Sequence, residues 1–122
     1  MARRTLLLIV LILSAFLLTL HMLALKQFLY FSYWWLDVLM HVLGGFTVGL
    51  LACSVLYLNG LRRKTILLIS IVSAVFLSVF WELFEYRIGM TFVIPHHLDR
   101  YIIDTISDLV CGITGGAIAG YI

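Results

Sequence analysis

Two carboxylates three residues apart, Glu82 and Glu85, close a long apolar run in the stretch Phe80-Trp81-Glu82-Leu83-Phe84-Glu85-Tyr86. A carboxylate in hydrocarbon costs from about 2.5 kcal/mol upward, so two on adjacent turns of one helix need partners or a task. Candidate partners are His41, Asp104 and Asp108, which stand inside or beside other apolar runs. Several oxygen ligands with an imidazole suit a divalent cation such as Zn, Mn or Mg, and a carboxylate beside a metal-bound water serves as general base. The expected metal ligands are therefore His41, Glu85, Asp104 and Asp108, with Glu82 as the expected catalytic base. His21, Arg87 and Arg100 are expected at the rim, and Asp37 either there or as the cap of its helix.

The elements that carry these residues follow from composition. A chain of 122 residues that is 64% hydrophobic and 11% charged cannot surround itself with water. It reads as an all-α integral membrane protein, a single domain of four transmembrane helices in a tight bundle. The expected spans are about 5–25, 37–58, 65–86 and 103–122, with an aromatic interfacial segment over 26–36 and a semi-apolar lid loop over 87–102. The charged start and apolar run resemble a signal peptide, but no small-residue cleavage site follows the run, so it reads as a retained helix. Because the chain stops at Ile122, a fourth span of about 20 residues draws Asp104 and Asp108 inside it.

Charge sets the expected orientation. Arg3, Arg4, Arg62, Arg63 and Lys64 fall on one side, against Lys26, Arg87 and Arg100 on the other. The positive-inside rule then puts both termini in the cytoplasm of a multi-pass protein of the cell (inner) membrane. A net charge of +2 is too small to argue for nucleic acid. Cys53 and Cys111 lie in apolar runs and read as buried thiols with no disulfide.

Every acidic residue and every histidine falls toward the non-cytoplasmic side of this topology. With a rise of about 1.5 Å per residue, His21, His41, Glu82 and Asp108 lie roughly 21–26 Å from the cytoplasmic ends of their helices. Spacing of four adds a second constraint, since such residues share a helix face. Asp37, His41, Gly45 and Gly49 form one stripe; Asp104, Asp108, Gly112, Gly116 and Gly120 form another; Ser70, Ala74, Ser78 and Glu82 form a third. Small residues at this spacing let membrane helices approach closely, so the stripes are expected to face inward and to gather the polar groups in one pocket. Crowded carboxylates repel, and without a counter-charge such a cluster takes up protons instead of a metal.

Three motifs in order, Asp37-x-x-x-His41-x-x-Gly44-Gly45, Trp81-Glu82-x-x-Glu85-Tyr86 and Asp104-Thr105-x-x-Asp108, resemble the YjdF-type bacterial inner-membrane family. More distantly they are similar to VanZ-like proteins, which are associated with teicoplanin resistance. The resemblance covers the second to fourth helices and supports the site more than it names a reaction. It departs from the VanZ-like pattern at Glu85, where those proteins often carry Gln, and the chain has fewer spans before the first motif than the YjdF type implies.

Three functions are open to these residues. The first is a metal-dependent hydrolase or transferase acting on a lipid-linked substrate at the outer leaflet, with membrane lipids around it. The second is a cation- or proton-coupled transporter, expected as a homo-oligomer. The third is a structural or accessory membrane protein whose polar core only fixes helix packing. His96-His97, adjacent in the loop, read as solvated.

Overall fold

A computed structural model describes residues 3–56, 60–88 and 98–122. Four long helices and one short one make up these residues. They are α1 (Arg3–Lys26), α2 (Leu29–Ser32), α3 (Trp34–Leu56), α4 (Arg63–Ile88) and α5 (Leu98–Tyr121). The four long helices are each long and apolar enough to cross a membrane.

The ends of the helices follow local chemistry. At the end of α1 the chain turns through Phe28 in the left-handed region, φ 54°, while Gln27 and Phe28 donate back to Leu23 and Leu25 carbonyls. This reversal leads into α2, within the aromatic stretch expected at the headgroup level. Helix α3 starts at Trp34, three residues earlier than expected, so Asp37 does not cap it but lies in its first turn. An acid there is favourable beside the unpaired N–H groups of the helix start. Helix α5 starts at Leu98 rather than near 103, again with an acid, Asp99, in the first turn. Its 24 residues rise about 36 Å, more than the hydrocarbon requires, so a span does not need its acidic first turn. Of the expected lid, 87–88 belong to α4 and 98–102 to α5; His96, His97 and the rest of 89–97 lie outside the described residues.

Helices α3, α4 and α5 form the tight part of the bundle, with α4 antiparallel to the other two, and α1 packs along α3. Small residues make this possible. The buried residues of α4 are Ser70, Ala74, Ser78 and Glu82, the stripe read from spacing. On α3 and α5 the backbones themselves meet: a Cβ on Gly45 would run into the carbonyl of Gly112, and one on Gly115 into Val42 and Phe46 backbone atoms. The side chains that are fully buried and largest are only serines, Ser54 and Ser70. Large apolar side chains such as Leu11, Phe16, Phe76 and Ile103 face outward, as they do where the surroundings are lipid.

Ser70 illustrates the cohesion of such a core. Its hydroxyl donates to the Gly116 carbonyl at 2.6 Å, joining α4 to α5. Ser70→Ala keeps the shape and loses that bond, so unfolding in detergent is expected to become easier by only about 0.6 kcal/mol. At the same end of the bundle Arg63 donates to the Tyr121 carbonyl and lies over the Tyr121 ring, 4.9 Å from its centre. The basic start of α4 therefore meets the end of α5, and the acidic residues gather at the opposite end.

Candidate functional site

His41 is the centre of the acidic end. One turn into α3 from Asp37, it is 7% exposed and its imidazole points between the three tightly packed helices. Its Nε2 lies 3.7 Å from Asp37 Oδ1, 3.8 Å from Asp108 Oδ2 and 3.9 Å from Glu82 Oε1. These separations exceed a hydrogen bond. His41 Nε2 and Glu82 Oε1 are both buried without a hydrogen-bond partner among the described residues. A buried polar atom left unpaired costs about 1–3 kcal/mol, and here two such atoms face each other with two further carboxylates beside them.

Two overlapping sets of atoms have the proximity that a metal ion needs. Asp37, His41 and Asp108 form one, and His41, Glu82 and Glu85 the other, each with ligand-type atoms within 4.8 Å of one another. Atoms sharing one cation at about 2.1 Å lie about 3.0–3.4 Å apart, so each oxygen facing His41 Nε2 has to close by about 0.3–0.9 Å to share an ion with it, and pairs nearer the 4.8 Å limit have to close further. The positions come from packing. Close contact at Gly45 and Gly112 draws α3 against α5 one turn below His41 and Asp108, and Ser78 sets α4 beside Gly112 one turn below Glu82.

The remaining oxygens are held by other donors. Thr105 donates to Glu82 Oε2 at 2.9 Å, which leaves Oε1 aimed at His41. Trp81 Nε1 donates to Glu85 Oε1 at 2.8 Å. Beyond Trp81, the buried His21 ring lies edge-on to the indole, 5.1 Å between ring centres, and His21 Nδ1 shares a 2.8 Å hydrogen bond with the Tyr30 hydroxyl. Burial, with the charges of Asp37 and Glu85 nearby, pushes the Tyr30 phenol above its ordinary range, so it keeps its proton.

Of the sequence-based candidates, His41, Glu82, Glu85 and Asp108 are brought together, and Asp37, expected at the rim, joins them. Asp104 is exposed and belongs to neither set, although it stands one turn before Asp108 on α5. Arg87 and Arg100 are exposed, and neither pairs with a carboxylate among the described residues. His21 lies outside both sets and is held by Tyr30. Thr105, Trp81 and Tyr30 were not expected to hold the site residues. The four-residue spacing of Trp81 and Glu85 was a legible signal for one of these bonds, whereas Thr105 to Glu82 joins two helices and has no local signature.

Comparison with known proteins agrees with the membrane architecture. No curated protein and no solved structure matches the chain. A family model described as a predicted membrane protein, DUF2238, the family also known as YjdF, matches residues 2–122 and so takes in all four spans and every residue of the cluster. Matched over residues 2–122, the chain belongs to the DUF2238 family of membrane proteins.

Proposed function

We propose that the cluster binds one divalent cation through His41, Asp37, Glu82 and Asp108, and that the protein is a metal-dependent hydrolase or transferase acting on a lipid-linked substrate. The observation that carries the cation is the buried, unpartnered His41 Nε2 facing the equally unpartnered Glu82 Oε1. With no Lys or Arg paired to these carboxylates among the described residues, one imidazole is the only nearby group able to offset them. A divalent ion neutralises two of the charges and satisfies both orphaned atoms.

A cation held there supplies a Lewis acid for a phosphoryl or acyl oxygen and a more acidic bound water. The protein groups then divide the work. Glu82, buried and fixed by Thr105, is suited to ligation, while Glu85 is only partly buried and keeps one oxygen without a Trp81 bond. Glu85 is thus the better general base, reversing the roles expected from sequence. Transport has less in its favour, because the Gly45 and Gly112 backbones close the bundle centre directly beneath the cluster.

The test is a titration of Zn2+ and of Mn2+ into purified, chelator-treated protein, with one site per chain expected; absence of saturable binding of either ion overturns the reading. Affinity is expected to fall as pH falls, because the ligands bind in their deprotonated forms and uptake releases protons. Thr105→Val keeps the side-chain shape but frees Glu82 to rotate. It is expected to weaken cation binding about tenfold, the lower end of what losing an orienting partner costs, as read in the same titration.

A further inference from the structure

A cleft runs down the bundle from the cation site, between α1, α3 and α4. Its volume is about 400 Å3, within the range of about 300–1,000 Å3 usual for ligand sites. The walls are apolar, including Leu17 and Leu18 of α1, Met40 and Val48 of α3 and Leu77 of α4, while Asp37, His41, His21 and Tyr30 stand at one end. Such a lining matches an amphiphile lying along the membrane normal. Along α1 the wall from Val10 to His21 rises about 16 Å, close to half of a hydrocarbon core of about 30 Å.

The packing shows why the space exists. Lower down, α1 is anchored through Val10 against Leu50 and Ala119, with Leu6, Ile9, Leu13 and Phe46 around them. At the top, the His21–Trp81 ring contact ties α1 to α4. Between these two points the α3 wall carries Gly44, and a Cβ built there meets nothing within 4 Å. Its neighbour Gly45 is pressed against Gly112, so Gly45 serves helix contact, whereas the absent side chain of Gly44 leaves the cleft open. Leu18 and Leu51 at its edge are 64% and 41% exposed, so the cleft opens sideways to lipid.

We infer that this cleft holds a hydrocarbon tail of a lipid phosphate whose head group lies at the Asp37–His41 end. The phosphate rests on the cation reading above, since an acidic cluster without a cation repels an anion; the tail site rests on the cleft alone.

The experiment uses a short isoprenyl monophosphate, its tail no longer than the cleft and bearing a photoactivatable diazirine at its end, added to the full-length protein in nanodiscs with and without Mn2+. Saturable labelling is expected within residues 10–21 and 40–51. Gly44→Leu fills the cleft and is expected to lower labelling about tenfold, while Gly44→Ala, adding one methyl, retains most of it. Unchanged helix content and Mn2+ binding in Gly44→Leu establish that the variant folds. Labelling of Gly44→Leu at the wild-type level, or labelling spread over lipid-facing residues such as Val72 and Phe76, overturns the proposal. If Gly44→Leu loses labelling but the wild type binds no Mn2+, the tail site stands and the cation reading falls. If Mn2+ binds and Gly44→Leu changes nothing, the cation reading stands and the tail site falls.

Discussion

Replacing His41 by alanine is expected to lower Mn2+ or Zn2+ affinity by about a hundredfold or more. Loss of a group that merely orients a ligand costs about 10–100-fold, and His41 is the one residue common to both ligand sets, so its removal belongs at or beyond the upper end. Asp108→Asn is expected to act in the same direction, because Asp108 is 4% exposed and its Oδ2 faces His41 Nε2. Asp104→Asn is the internal comparison and should lower affinity much less, since that carboxylate is exposed and outside both sets and reaches the cluster only through its charge. Isothermal titration of the three variants checks the order. Thermal unfolding checks the mechanism independently. In chelator, Asp108→Asn removes one charge from a crowded acidic centre and should raise the unfolding temperature. With the ion in hundredfold excess over its dissociation constant, the wild type gains about 2.7 kcal/mol that the variant largely loses. A polar core that only fixes packing predicts the opposite result in chelator, a loss of stability with no dependence on the ion.

Gly45→Leu is expected to prevent folding, while Gly44→Leu one residue away is tolerated. At Gly45 the first added carbon collides with the Gly112 carbonyl, and the atoms in its way are backbone of a buried helix, which cannot swing aside. Separating α3 from α5 to make room also withdraws His41 from Asp108 and loosens the Gly115 contact with Val42 and Phe46. Overpacking a well-filled core typically costs about 1–3 kcal/mol, and here one change disturbs the whole α3–α5 seam, so the expected loss is at the top of that range or above it. Yield of monodisperse protein in detergent and its unfolding temperature measure the contrast. Equal stability of the two variants would mean that the seam is not as tight as the helix contacts require.

The four spans were legible because the signal is local: about 20 apolar residues leave a segment few alternatives to a membrane helix. The stripes were legible for a related reason. A helix carries every fourth residue on one face whatever surrounds it, so Ser70, Ala74, Ser78 and Glu82 could be read as one face, and they are the buried residues of α4. Helix ends were less legible, since aromatic and charged residues at the interface suit the last turn of a helix as well as a loop. This is why Trp34 and Leu98 begin their helices earlier than expected.

The composition of the cluster depended on those ends and on how the helices meet. Spacing grouped Asp104 with Asp108, but a stripe of four-residue steps drifts around a helix with 3.6 residues per turn, and only the α5 packing angle decides where it leaves the bundle. Asp108 stays inside and Asp104 does not. Asp37 entered the cluster for the converse reason, being a full turn within α3 rather than at its cap. Pairings between helices, Thr105 with Glu82 and His21 with Tyr30 across the α1–α2 turn, carry no periodic signal at all. The sequence by itself determined that costly carboxylates and an imidazole reach one end of a membrane bundle, because helix length and period are properties of a single segment. Which of them converge on His41, and that α1 leaves a cleft beside them at Gly44, was decided by tertiary packing, because those distances depend on how closely glycine lets two backbones approach.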